Sequence, residues 1–267
     1  MQLFRGRGQQ KPQSTAVQSV TRLLPETSWA NEPLPSGIPP EGKVVVTISR
    51  QFGSGGAEVG RILAQESGLN YVDHQIIDEV ARQLGVKVEQ AEHQDEQTSS
   101  TVGHILESIQ LSNPFVVNYS TLLGQEKGAT PAQEATYFYL TQKVILELAT
   151  KGDAVIIGRG SQFLLHNAPR TLHTYIFAPL DERITYVMQH SQLDRKHAAD
   201  LIEQRDYEHA MYLRFNYGND GHEPGLYHLL INTSLFSFDM AASLIRQALP
   251  LVQQIGIRPI IDQESGS

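Results

Sequence analysis

The sequence predicts an α/β protein built on a parallel sheet, and three observations lead there. Val44-Val45-Val46-Thr47-Ile48 is an unbroken β-branched run that soon reaches Gly53-Ser54-Gly55-Gly56 and then a helical pattern. Ala154-Val155-Ile156-Ile157 repeats the arrangement, ending in Gly158-Arg159-Gly160. Elsewhere short apolar runs alternate with amphipathic stretches. Strands that are apolar throughout, rather than at every second residue, are those covered on both faces, as in a parallel sheet between helices.

The elements follow in order. The first 42 residues hold Pro12, Pro25, Pro33, Pro35, Pro39 and Pro40 among Gln, Ser, Thr and Gly. Such a segment buries too little apolar surface to offset its ordering entropy, so residues 1–42 are expected to form a flexible leader, with folded structure from Lys43. Ala57 to Ala64 has helical spacing and Gly68 is placed to end it. A second strand is expected over Asn70 to Val72. Ile76, Ile77, Val80, Ala81 and Leu84 mark another helix, closed by Gly85, and Glu89 to Thr101 is acidic and solvated. Thr130-Pro131-Ala132-Gln133 carries the capping Thr and first-turn Pro of a helix start, and that helix should run to about Lys151. Leu172 to Ala178 predicts a strand. Asp181 to His190 and Asp194 to about Leu213 predict helices, His228 to Ile231 a last strand, and Ser237 caps a helix through Leu249. Residues 251–267 remain as a tail.

Composition narrows the chemistry. With no cysteine there is no disulfide framework, cysteine-type zinc site, iron–sulfur cluster or thiol nucleophile. A formal charge of −8 argues against a binder of polymeric nucleic acid or anionic membrane. No run approaches the roughly 18 apolar residues of a membrane span, and no apolar segment follows Met1 to Arg7, so a cytoplasmic location is expected. There is no GxSxG nucleophile elbow and no HExxH pair, so neither a serine hydrolase nor a resident metal is expected. Nothing in the sequence specifies an oligomeric state.

Gly53-Ser54-Gly55-Gly56 is the first element that carries chemistry. A glycine loop between strand and helix turns backbone N–H groups into a concave nest at the positive end of the helix dipole, which suits phosphate. Such a loop alone can equally be a plain turn. The strict GxxxxGK[ST] pattern is also incomplete, because Gly56 and Ala57 stand where Lys and Ser or Thr belong, and Arg50 where the first glycine belongs. Arg50 or Arg61 could supply the missing charge.

Thr47-Ile48-Ser49-Arg50-Gln51-Phe52-Gly53-Ser54-Gly55-Gly56, Tyr71-Val72-Asp73, Val155-Ile156-Ile157-Gly158-Arg159-Gly160 and Tyr227-His228-Leu229-Leu230-Ile231-Asn232-Thr233-Ser234 occur in that order. Together they resemble the cytidylate kinase-like family of the P-loop nucleoside monophosphate kinases, over about Lys43 to Leu249. The resemblance implies a three-layer α/β/α fold with a parallel five-stranded sheet, an acceptor-binding insertion over about 86–135 and a helical lid over about 191–222. It implies transfer of the ATP γ-phosphoryl group to CMP or dCMP with Mg²⁺, the cofactor site being Arg50, Gly53, Ser54, Gly55, Gly56 and Ala57. Arg159 matches the arginine of the GRD motif of cytidylate kinases, with Gly160 in place of the Asp. Arg183 resembles the arginine that opens the lid, or else makes an ordinary helix ion pair. Asp206 and His209 match an Asp-x-x-Arg pattern with histidine in the arginine position, and Arg205 or Arg214 could compensate for the lost charge. Asp73 could contact acceptor or metal-bound water, or simply cap the following helix. Because Gly56, Ala57, Gly160 and His209 depart from the parent motifs, a nucleotide-binding regulatory protein without catalysis, or a kinase for another small acceptor, remains open.

Overall fold

The computed structural model describes residues 33–73 and 131–252. The expected helix over Ile76 to Leu84, the acidic stretch, nearly all of the expected insertion and the far ends of the chain lie outside the described residues. Five strands form one parallel sheet: β1 (Val45–Arg50), β2 (Asn70–Val72), β3 (Ala154–Ile157), β4 (Thr171–Phe177) and β5 (Leu229–Asn232), in the order β2-β3-β1-β4-β5. The helices are α1 (Gly56–Ser67), α2 (Pro131–Lys151), α3 (Ser161–Leu164), α4 (Leu180–Ser191), α5 (Arg195–Tyr217) and α6 (Phe238–Val252).

The β-branched pattern of β1 has its cause in its place at the centre of the sheet, where every residue from Val45 to Ile48 is wholly buried. Val46 and Ile48 join Val59 and Leu63 of α1 and Ile245 of α6 on one face. Val45 faces the other way, with Ile156 of β3 and Leu140, Val144 and Ile145 of α2. The result is three layers, helix, sheet and helix. Each fully buried Ile or Leu contributes roughly 1.5–3 kcal/mol, which is why an edge-type alternating strand could not occupy this position.

Several boundaries differ from expectation. Residues ahead of Lys43 are packed: Leu34 lies against the α2 side of the core, the Gly37 amide donates to Thr150 Oγ1 at 3.1 Å, and Arg170 donates to the Pro39 carbonyl. Leu34 and Gly37 make the contacts with α2 and Pro39 is buried, while Pro33 and Pro40 stay exposed; a segment stiffened by proline loses little further entropy when it docks. α5 runs on from Leu213 to Tyr217, where Gly218 at φ 70° terminates it, and Asp194 caps its start by accepting from the His197 amide at 2.9 Å. α6 continues past Leu249 to Val252 with Pro250 inside its last turn. The short helix α3 after Gly160 had no periodic signal, since four residues are too few to show one.

α4 and α5 form a hairpin with its own apolar centre of Ile184, Val187, Ala198 and Ile202, against which Phe52 of the glycine loop packs. One polar joint fixes this hairpin to the loop. Asp206 Oδ1 accepts from the Phe52 amide at 3.0 Å, while Asp206 Oδ2 meets Arg183 Nη1 at 2.5 Å; the same guanidinium donates to the Phe52 carbonyl at 3.2 Å. Arg183 is 7% exposed, so the carboxylate is its compensation for lost solvent.

His173 on β4 is the other buried ionisable side chain of note. It shares a 2.7 Å hydrogen bond with Thr47 and stacks with His228 at 5.2 Å and with His166 at 6.3 Å. Burial first, then His228 and His166, push its pKa down to about 3.

Two predictions follow from these contacts. Asp206→Asn keeps an acceptor for the Phe52 amide but removes the ion pair, and urea unfolding should show a loss of about 1–3 kcal/mol. For His173, the unfolded chain binds its proton near pH 6.5 while the folded chain resists until about pH 3. Its contribution is therefore complete above about 6.5 and is lost on acidification, at up to about 1.4 kcal/mol per pH unit. Thermal midpoints should fall between pH 7 and 5, and His173→Gln should flatten that fall; an equal slope in the variant would contradict the assignment.

Candidate active site

All five strands point the same way, so their carboxyl ends share one edge, and the residues that follow β1, β2 and β3 meet there. The glycine loop leaves β1 and enters α1. Gly55 has φ 76° and a Cβ there would stand 2.2 Å from the Phe238 ring, so no other residue fits. No side chain caps α1, which leaves its first-turn amides directed at the loop's mouth. The loop is held from beneath. Ser54 Oγ donates to the carbonyls of Gln51 at 2.8 Å and Ile176 at 3.2 Å, and Thr233 Oγ1 donates to the Ser54 carbonyl at 2.8 Å. The Ser54 hydroxyl is thus committed to backbone and supports the loop.

Arg50 is the last residue of β1, and its guanidinium crosses to lie against Gly158 at the end of β3. Its surroundings are Asp73 after β2 and Arg159 after β3. Burial lowers its pKa, Asp73 opposes that and Arg159 adds to it. Asp73 also accepts from the Tyr71 hydroxyl at 3.1 Å, and burial, then Asp73, push that phenol well up. His209 of α5 faces the same cations: burial, then Arg50, Arg159 and His222, hold its pKa down at about 3, so it is neutral at pH 7.

The sequence candidates therefore divide. Arg50, Asp73, Arg159 and His209 come together at the sheet edge beside Gly53 to Ala57. Arg183 and Asp206 pair with each other at Phe52. Arg205 is only 9% exposed and bonds Glu208 at 3.1 Å within its own helix. Arg214 bonds Asp220 at 2.9 Å, holding that carboxyl down at about 2, in a shallow polar depression with Gly218, Asn219 and Glu223. Arg61 turns outward over the Tyr71 ring, 5.4 Å from its centre.

Two participants had no signal in the sequence. Phe238 packs where a Gly55 side chain would be, and Tyr217 covers Gly160, its hydroxyl donating to the Arg159 carbonyl at 3.2 Å. Both are ordinary aromatic residues at helix ends, and only the folded chain brings them to the loops. Thr233 was visible within the Asn-Thr-Ser string, but without a role.

The donor set bears on magnesium. Ala57 has no hydroxyl, and no group of three His, Asp or Glu among the described residues could enclose a metal ion. An ion that enters on a nucleotide's phosphates needs no such cage, since Mg²⁺ keeps most of its water and takes one or two carboxylates at most; Asp73 is the carboxylate at this edge. Among the described residues no helix is long and apolar enough to cross a membrane.

The chain is similar to several known proteins. A cytidylate kinase from Pyrococcus horikoshii is 22% identical over 218 residues, which span 81% of this chain and 94% of that one. An uncharacterized protein from Eubacterium ventriosum shares the fold, with a TM-score of 0.54 at 19% identity over 78% of this chain and 99% of its own. A shikimate kinase from Acinetobacter baumannii aligns at a TM-score of 0.41, with 17% identity over 80% of this chain and 97% of its own. The family model of the cytidylate kinase-like family matches residues 45–235. With a parallel 2-3-1-4-5 sheet, a glycine loop after its central strand and that match over more than half its length, the chain belongs to the cytidylate kinase-like family.

Proposed function

We propose that the protein transfers the γ-phosphoryl group of MgATP to the phosphate of a nucleoside monophosphate, CMP or dCMP. The observation that carries this is the meeting of Arg50, Asp73 and Arg159 at the carboxyl ends of β1, β2 and β3, beside a glycine loop with uncapped helix amides. Residues 53–57 cradle the ATP phosphates. Arg159, with Arg50 behind it, receives the acceptor phosphate. An acceptor oxygen attacks the γ-phosphorus in line while the bond to the β-bridging oxygen breaks, releasing ADP. Little covalent help is needed from the protein; positioning and neutralising spread charge are its work. α5 lies within the expected lid at 191–222, and residues 86–135 supply base selection. A net charge of −8 suits a single nucleotide held by local cations better than a polymer.

A second possibility is supported by the commitment of the Ser54 hydroxyl to backbone carbonyls and the absence of one at Ala57. On that account the chain binds nucleotide and signals through it without turnover.

ADP formation from MgATP should appear with CMP or dCMP in a panel of nucleoside monophosphates, and Arg159→Ala should lower kcat/KM about 10²–10³-fold, the usual cost of one charge-stabilising donor. Turnover with a different acceptor would move the substrate assignment alone. Tight ATP binding with no turnover on any acceptor would replace catalysis by the regulatory account. Because His209 is neutral at pH 7, His209→Arg should restore a permanent cation and lower the acceptor KM about tenfold, the value of a charge-assisted contact.

A further inference from the structure

The chain makes an unusual turn at Arg159. Gly158, Arg159 and Gly160 take φ values of 65°, 59° and 72°, three left-handed residues in succession with a non-glycine in the middle. A side-chain-bearing residue held there is strained and persists only where its surroundings impose it. Gly158 lies against Arg50, and the next two residues lie against Tyr217. Its ring occupies the space beside Gly160, so that a Cβ at that position would stand 2.2 Å away, and its hydroxyl donates to the Arg159 carbonyl at 3.2 Å.

The tyrosine is itself fixed. Phe163 of α3 stacks on it at 5.0 Å and 18°, Phe138 of α2 meets it edge-on at 5.6 Å, and the Gln142 side chain bonds its hydroxyl. Tyr217 is also the last residue of α5, whose Asp206 is fastened to the glycine loop through Phe52 and Arg183. A single helix thus touches both halves of the site, with Asp206 at the loop and Tyr217 at the arginine turn. Gly160 and Tyr217 are complementary: the absence of a side chain at one makes room for the ring of the other.

We infer that Tyr217 is a positioning residue that holds Arg159 in its left-handed conformation and so ties acceptor-phosphate binding to the placement of α5. This rests on the reading of Arg159 as the acceptor contact. The strain at Arg159 is sustained in the free protein by the Tyr217 bond and ring, so the guanidinium is presented before the acceptor arrives. Without the bond, the turn relaxes toward right-handed conformations and part of the acceptor's binding energy is consumed in restoring it.

The test compares wild type, Tyr217→Phe, Tyr217→Leu and Arg159→Ala by calorimetric titration with CMP and, separately, with MgATP, alongside thermal unfolding. Tyr217→Phe should weaken CMP binding about three- to tenfold with MgATP affinity unchanged within twofold, and Tyr217→Leu should weaken CMP further. A merely structural tyrosine would lower the thermal midpoint and weaken both ligands alike, or neither, which overturns the proposal. If Arg159→Ala weakens CMP while Tyr217→Phe does not, the positioning role fails and the acceptor reading stands. If Arg159→Ala leaves CMP binding untouched, the acceptor reading fails and takes the positioning role with it. Should Tyr217→Leu not fold, Tyr217→Phe still preserves the ring packing and removes only the hydroxyl's bonds, and Gln142→Ala, which leaves the bond to the Arg159 carbonyl in place, should not weaken CMP binding.

Discussion

Burial of β1 on both faces is the constraint from which the rest of the molecule follows. A strand with helices above and below it can carry few polar side chains along its length, and the two buried exceptions here are both satisfied, Thr47 by His173 and Ser49 by Tyr227. Polar chemistry is thereby pushed to the strand's end. Arg50 stands one step past the wholly buried run, at the first place where a guanidinium can leave the sheet, and the glycines follow because the chain must turn tightly back over its own strand. β3, hydrogen-bonded beside it, ends in register with the same edge at Gly158. Two buried strands side by side therefore deliver two arginines to one place without any loop having to search for it.

The same economy of space determines which cations remain available. Arginine is costly to bury without a partner, and most candidates in this chain have one: Arg183 has Asp206, Arg205 has Glu208 and Arg214 has Asp220. These pairs stabilise the α4–α5 hairpin and its attachment to the loop. Arg50 differs: it faces a second cation, Arg159, and is offset by Asp73 first and then by Tyr71 and Glu58 rather than by one paired carboxylate. Sequence places Arg50 and Arg159 at the ends of buried strands, but it does not tell which partners the other three hold. The partners of Arg205 and Arg214 lie three and six residues away, but that of Arg183 is twenty-three residues distant.

The strands and helices were largely legible because periodicity reports burial, and here burial is extreme. β1, β3 and α2 fall where hydrophobic runs, a capping Thr-Pro pair and terminal glycines put them. What periodicity cannot register is contact between remote side chains. Tyr217 and Phe238 complete the two glycine turns, yet each sits in a sequence context typical of any helix end. The packing of Leu34, Gly37 and Pro39 was hidden for a related reason: proline-rich composition signals a low tendency to form a core, while docking onto an existing core depends on the surface that core offers.

The missing lysine of the glycine loop looks different in this light. In a lysine-bearing loop the cation rides on the first turn of the helix and follows the nucleotide phosphates. Here Gly56 lies so close to the Arg50 stem that a Cβ would stand 2.6 Å from it, so a lysine at 56 and the observed path of Arg50 exclude each other. The chain has kept the arginine, whose rigid fork bridges from β1 to the end of β3 and remains charged despite burial. Burial and Arg159 work against its charge, while Asp73, Tyr71 and Glu58 support it, and His209 beside it is uncharged. The folded chain's own carboxylates therefore hold this cation in place, and the charge that a lysine would carry on the helix is supplied from the end of the central strand instead.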